Sequence, residues 1–220
     1  MKKFLIAAVC VLSAATLSAQ RASSTSTSFF SAERPEKTVN LGLRAGYTLS
    51  NVLDKWDGKS ESYDSKSGFL VGLNVDVAFM QSFGLNTGIF AVSKGYKDSW
   101  DGETVTFNPM YLEIPVLASY RFNFGETSRV EVDFGPYFAV GVGGKWKFKD
   151  DGESESEKIF GGEYGANRFD CGLKVGAGVT FNKIYVGLHY AFGLTNLNLY
   201  DDDETSSRNR NLSLTMGFNF

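Results

Sequence analysis

The final twelve residues, 209–220, constrain the fold most. In NRNLSLTMGFNF, Leu212, Leu214, Met216, Phe218 and Phe220 alternate with Asn211, Ser213, Thr215, Gly217 and Asn219. A β-strand sends successive side chains to opposite faces, so this pattern predicts a strand with one wholly apolar face. About ten alternating residues is the length at which a tilted strand crosses a bilayer. A strand of that kind leaves backbone groups unpaired in lipid unless the sheet closes on itself.

The rest of the chain supplies the strands for that closure. Alternating segments run over residues 39–50, 69–79, 83–91, 112–122, 130–143, 169–181 and 184–192, which with the terminal one makes eight. The connections alternate in length. Gln81-Ser82, residues 125–128 and Asn182-Lys183 are short, whereas 51–66, 97–107, 147–166 and 198–207 are long and polar. Short turns at one end and long loops at the other describe an all-β, eight-stranded antiparallel up-and-down transmembrane barrel. Both termini then fall at the short-turn end, which is expected to be periplasmic, with the long loops extracellular.

Period-2 alternation alone does not say which face is outside, because a soluble lipid-binding barrel has the same period with its apolar face inward. The other face decides. It carries mostly Gly, Ser, Asn, Ala and Thr with few charges, and the chain holds 24 Gly. Small residues suit the interior of an eight-stranded barrel, which side chains are just sufficient to fill. The apolar faces are therefore expected to meet lipid.

Ahead of the barrel, Lys2 and Lys3 precede an apolar run, residues 4–12, and a small, polar segment to Gln20. This reads as a signal peptide over 1–20, cleaved near Ala19 or Gln20. Cys10 lies inside the apolar run and leaves with it, so Cys171 is the single cysteine of the mature chain and reads as a small strand-face residue. Residues 21–38 are Ser/Thr-rich without periodicity and read as a flexible periplasmic tail; residues 39–220 form the barrel domain. A formal net charge of -3 leaves no basic footprint for nucleic acid.

Charges on the inward faces are Arg44, Asp76, Glu113, Arg121, Glu131, Asp133, Arg168, Asp170 and Lys174. They read as either an ion path or a salt-bridged plug, and the near balance of signs favours the plug, since charges withdrawn from water need partners. His189, the single histidine, also points inward. A lipid-modifying enzyme would need a Ser and an acid beside it, and its own strand offers Tyr185 and Gly187 instead. Pro115 and Pro136 fall inside strands, where the missing N–H predicts a β-bulge or bend. Asp-Gly at 57–58, 101–102 and 151–152 predicts two-residue hairpins that carry the strands beyond the membrane as ribbons. Trp56 and Trp100 at these sites read as interface anchors or hairpin braces, or as ligand-stacking residues. The acids Asp150, Asp151, Glu153, Glu155 and Glu157, with residues 201–204, read as solvated loops; a calcium site shared with lipopolysaccharide is the alternative, but no metal-loop spacing is met. No catalytic, cofactor-binding or metal-binding residue is expected.

Several segments carry a resemblance. NLGLRAGYTLSN at 40–51, SKGY at 93–96, YLEIP at 111–115, FGPYFAV at 134–140 and FDCGLKVGAG at 169–178 resemble the PorT-like outer-membrane β-barrel family. The alternating strand ending on Phe220 likewise resembles the C-terminal signal of bacterial outer-membrane barrels. The resemblance covers nearly all of residues 39–220. It implies an outer-membrane barrel, in a family named for a secretion accessory protein. A lumen too narrow and too filled for sizeable solutes gives the first reading: a barrel without catalytic activity, structural or accessory to an envelope or secretion assembly. Expected partners are outer-membrane lipid, lipopolysaccharide and envelope or secretion proteins. A narrow pore for ions or small solutes is the second reading, and a His189 enzyme the third.

Overall fold

The computed structural model describes residues 32–33, 38–56, 59–100, 103–124, 127–150, 153–160, 166–197 and 205–220. The predicted signal peptide, almost all of the tail, the Asp-Gly pairs at 57–58, 101–102 and 151–152, and the acids at 201–204 lie outside the described residues.

Eight long strands form the wall: β1 (Val39–Trp56), β3 (Asp64–Ala78), β4 (Phe83–Ser93), β6 (Glu103–Phe124), β7 (Ser128–Asp150), β9 (Phe169–Phe181), β10 (Ile184–Gly193) and β11 (Thr205–Asn219). Each pairs antiparallel with the next in this series. The ring closes where β1 meets β11, in register from Gly42↔Asn219 to Trp56↔Thr205. The β3–β4, β6–β7 and β9–β10 turns fall at one end, and Asn182 takes the left-handed conformation (φ 53°) that tightens the last of them.

Three short strands extend the opposite end. β2 (Lys59–Ser62) pairs with β1, β5 (Tyr96–Trp100) with β6 and β3, and β8 (Glu153–Lys158) with β7. The ribbon ends pair as Trp56↔Lys59, Trp100↔Glu103 and Asp150↔Glu153, leaving two residues to connect each hairpin. These are the ribbons expected from the three Asp-Gly pairs. Trp56 and Trp100 stand at two of the tips; their side chains lie outside what the structure describes.

The apolar faces point out. Leu73, Ile89, Phe134, Val179, Leu188 and Leu214, from six different strands, are each more than half exposed, which inverts a soluble core. Thr48, Ser50, Asn74, Ser119, Asn211 and Ser213 are buried inside. An apolar belt this continuous far exceeds what a soluble monomer leaves uncovered. On β9 the belt runs from Phe169 to Phe181. Its thirteen residues rise about 40 Å along the strand, or about 30 Å along the barrel axis at the usual tilt, which matches the bilayer core. Ring pairs such as Phe83–Tyr120 (4.8 Å) at the short-turn end form an aromatic interface girdle.

The prolines correct one expectation. Near Pro115 the β6–β7 ladder lapses between Pro115↔Tyr137 and Ala118↔Phe134, and the β4–β6 ladder between Thr87↔Val116 and Phe90↔Glu113, but the register is unchanged across both gaps. The Thr87 hydroxyl donates to the Pro115 carbonyl at 2.6 Å, which satisfies a group the ladder leaves free. Opposite Pro136 the β7–β9 ladder is unbroken. The register shift lies instead between Met110↔Gly143 and Tyr111↔Gly141, with Val142 as the extra residue on β7 and Gly144, two residues on, at φ 142°.

Candidate functional site

The candidate site is the barrel interior, which is filled in layers. At the long-loop end Ile159 and Phe160, following β8, turn back into the mouth and pack with Val52, Phe107, Tyr111 and Leu197. The Phe160 ring stands edge-on to Tyr111 at 5.9 Å. It rests where Gly141 has no side chain; a Cβ there would lie 2.1 Å from the ring. Against this cap the ribbons pack further rings, Tyr63 stacked on Tyr96 at 4.1 Å and Trp146 tilted on Phe107 at 4.5 Å. The Tyr63 hydroxyl donates to Asp54 at 2.8 Å. Burial, with this hydrogen bond adding to it, raises the Tyr63 phenol above its ordinary pKa, and burial pushes Tyr96 up to about 12.

Beneath the cap lies a first ionic cluster. Lys94, 1% exposed, reaches Glu113 at 2.8 Å and Asp170 at 3.0 Å. Lys174 bonds the other Glu113 oxygen. Asn209 donates to Asp170 at 2.9 Å, and the Tyr137 hydroxyl donates to the same carboxylate at 3.3 Å. The Lys94 ammonium also lies 4.3 Å from the Tyr137 ring centroid. Two cations and two carboxylates thus neutralise each other away from water, the condition under which buried charge is tolerated.

A second cluster fills the short-turn half. Asp76 receives Arg121 on one oxygen and Arg129, at 3.0 Å, on the other. Arg129 also reaches Glu131 at 2.9 Å. His189 Nε2 lies 3.2 Å from Asp133, and Asn86 donates to the same Asp133 oxygen at 3.4 Å. Arg44 lies 4.0 Å over the Tyr185 ring. That side chain spreads over Gly178 and Gly187, where any Cβ would come within 2.5 Å of its ring or hydroxyl. Between the clusters a cavity of about 40 Å³ is lined by Lys174, His189, Ser213, Pro115 and Phe90 among others, room for no more than a few waters. Below the second cluster a polar vestibule of about 410 Å³ opens at the short-turn end, lined by Asn40, Asn123, Arg129, Thr180, Asn182 and Phe220 among others.

Of the inward charges expected from the sequence, Arg44, Asp76, Glu113, Arg121, Glu131, Asp133, Asp170 and Lys174 are buried in the lumen. Arg168 is not among them: it precedes β9, is exposed, and leans on Phe160 with its guanidinium 5.4 Å from the ring. The strand begins one residue later, so its alternation does not reach Arg168. Sequence reasoning missed Lys94 and Arg129, both central to the ion pairs. Arg129 had a signal, two residues before Glu131 and on the same face. Lys94 keeps the inward parity of Asn86, Phe90 and Val92 but lies beyond the alternating segment 83–91; the break comes only at Gly95 (φ 116°). For His189, the cross-strand neighbours are an acid and a serine after all: Asp133 and Ser213, the latter directly opposite. The Ser213 hydroxyl donates to the His189 carbonyl at 3.4 Å. Cys171 sits part-buried on β9 with the Thr195 hydroxyl 3.2 Å from its sulfur.

A family model described as outer membrane protein beta-barrel domain matches residues 19–198. The chain belongs to this family of outer-membrane barrels. Its place is accordingly the outer membrane. Among solved structures, this outer-membrane barrel is similar to Ail, the attachment invasion locus protein of Yersinia pestis, at 20% identity over 84% of this chain and 100% of that one, TM-score 0.44. Neisserial surface protein A matches at 11% identity over 84% and 100%, TM-score 0.45. OprG from Pseudomonas aeruginosa matches at 12% identity over 87% and 99%, TM-score 0.44. At these values the likeness is one of architecture alone. No curated protein sequence matches the chain.

Proposed function

We propose that this barrel is a non-catalytic outer-membrane protein of PorT-like type that acts through its ribbons and its contacts in the envelope, structural or accessory to an envelope or secretion assembly. The observation that carries the reading is the series of blocks in the lumen: the Ile159–Phe160 cap, the Lys94 cluster and the Asp76 cluster. A barrel so filled has its free surfaces at its ends and outer wall. Short turns at one end and long ribbons at the other support periplasmic termini and extracellular ribbons. The partners proposed are outer-membrane lipid, lipopolysaccharide and envelope or secretion proteins.

A planar-bilayer recording is expected to stay silent; a steady conductance would overturn the reading. It would favour a pore for ions or small solutes, for which the polar vestibule at the short-turn end is the supporting feature. The contact between His189 and Asp133 keeps an enzyme reading in view. Cells carrying His189→Ala are expected to show an unchanged lipid profile by mass spectrometry, and a lost lipid modification would move that reading forward. Photocrosslinking in living cells from the β8 ribbon and from Asn182 tests for partners. A defined protein adduct supports an assembly, and lipid adducts alone argue for a free-standing barrel.

A further inference from the structure

Beyond the membrane β5, β6, β7 and β8 form a four-stranded sheet whose two faces differ in charge. Directly opposed residues in antiparallel pairs share a face. Lys97, Thr106, Lys147 and Ser156 make one row across all four strands. Ser99, Thr104 and Lys149 make the next, and Asn108, Lys145 and Lys158 the one nearer the membrane. That face is lysine and hydroxyl or amide throughout. The reverse face carries Asp98, Glu155 and Glu157 with Phe107, Trp146 and Phe148. Phe107 is buried in the cap with Trp146 packed against it, so the acidic and aromatic face turns toward the barrel axis and the lysines turn outward.

The lysines are exposed and poorly neutralised. Asp64 stands opposite Lys97 and offsets it. Among the described residues, no ion pair involves Lys145, Lys147, Lys149 or Lys158. Lys145 faces Lys158 directly, a like-charge pair that costs a sheet stability unless an anion stands between or over the two. The Glu155 and Glu157 carboxylates cannot serve, because alternation sends them to the other face.

Position identifies the anion. Val142, exposed on the lipid-facing side of β7, is followed three residues later by Lys145. That is a rise of about 10 Å, with Lys147 and Lys149 following at about 7 Å steps. The lysines therefore begin in the headgroup layer and climb through it. We infer that the outward face of the β5–β8 sheet docks the phosphate groups of lipopolysaccharide in the surrounding leaflet, with Lys145, Lys147, Lys149 and Lys158 as the phosphate-binding residues and the Ser and Thr hydroxyls between them contacting the sugars. Lysine serves phosphate as a mobile point charge with several donors. This inference rests on the proposed extracellular orientation of the ribbons.

The test uses the full mature chain, refolded in detergent and titrated with purified lipopolysaccharide and with the same material after enzymatic dephosphorylation. The wild type is expected to bind the phosphorylated form at least about tenfold more tightly, with affinity falling as salt rises. Replacing Lys145, Lys147 and Lys149 together with Gln is expected to remove that preference, while Glu155→Gln with Glu157→Gln keeps it. Retention of the heat-resistant folded band on a gel confirms that each variant is a barrel. Equal affinity for both lipopolysaccharides, or an unchanged preference in the triple variant, overturns the inference. So does binding of a soluble sulfated polysaccharide with indifference to lipopolysaccharide, which would assign the lysines to an external glycan. Because binding in detergent is independent of orientation, labelling a ribbon cysteine on intact cells tests the orientation separately.

Discussion

Lys94 shows how much a single side chain holds together. It bridges Glu113 on β6 and Asp170 on β9 from the end of β4, so three strands share one ammonium. Removing one member of a buried ionic set leaves its partners charged and dry, at a cost of about 3–5 kcal/mol. Lys94→Met is expected to destabilise by about that much, read as an earlier unfolding transition in detergent. Glu113→Gln, which strands Lys174 and leaves Lys94 with Asp170 alone, should destabilise comparably; an unchanged transition in both would mean that the cluster is not stabilising. The same residue marks the limit of what alternation reveals. Arg44, Glu113 and Lys174 were legible as inward because each sits mid-strand, where parity is secure. Lys94 and Arg168 both have inward parity, but Lys94 lies past the segment 83–91 that alternation marks out and Arg168 just before β9 begins, so parity serves only where the strand ends are known. Ile159 and Phe160 were hidden for a different reason: two apolar residues in an acidic loop acquire an inside only when the barrel supplies Gly141 and Tyr111 beneath them.

At the scale of the element, the outer wall permits a sharp test. Val175 faces lipid near the middle of β9, opposite Phe134 on β7 and Tyr190 on β10. Arg at a lipid-facing midplane position costs about 2–4 kcal/mol. Val175→Arg is expected to lower stability by that amount in lipid-based unfolding, whereas a neutral outcome would reverse the assignment of faces. The ribbons answer to pH instead. Because folding raises the Tyr63 and Tyr96 phenols, their contribution is complete below the ordinary tyrosine pKa of about 10 and is lost as pH rises through the folded values. Near-ultraviolet circular dichroism of the stacked rings should therefore be flat from neutral pH to about 10 and change above it. A transition near neutrality would show that the stack responds to some other group. These ribbons were readable in advance because an Asp-Gly pair specifies a hairpin locally, without tertiary context. The unchanged register at Pro115 was not, because the carbonyl left free there is satisfied by the Thr87 hydroxyl beside two lapses in pairing, both tertiary matters.

For the whole molecule, the blocks in the lumen act in series. Phe160→Ala is expected to leave a planar bilayer silent, since the Lys94 and Asp76 clusters still fill the bore below the cap; conductance from that change alone would make the cap the sole barrier. Net neutrality of the two clusters also explains how a chain of modest net charge encloses so many ionised groups. The architecture was legible because its repeating unit, an alternating strand with a short or long connection, is a local signal repeated eight times. The filling was not, because ion-pair partners come from strands distant in sequence, as Arg129 and Asp76 do.

The seam between β1 and β11 has a further consequence, one of timing. The two strands pair over fifteen residues although the whole barrel lies between them in sequence. Contacts of such separation form late, after the entropy of the intervening loop has been spent. Until then β1 and β11 are open edges, each able to pair with another chain. A nascent chain of this protein is thus adhesive from the emergence of its first strand to the arrival of its last. Its passage to the membrane depends on whatever shields those two edges in the interval, and the joining of its two ends removes both at once.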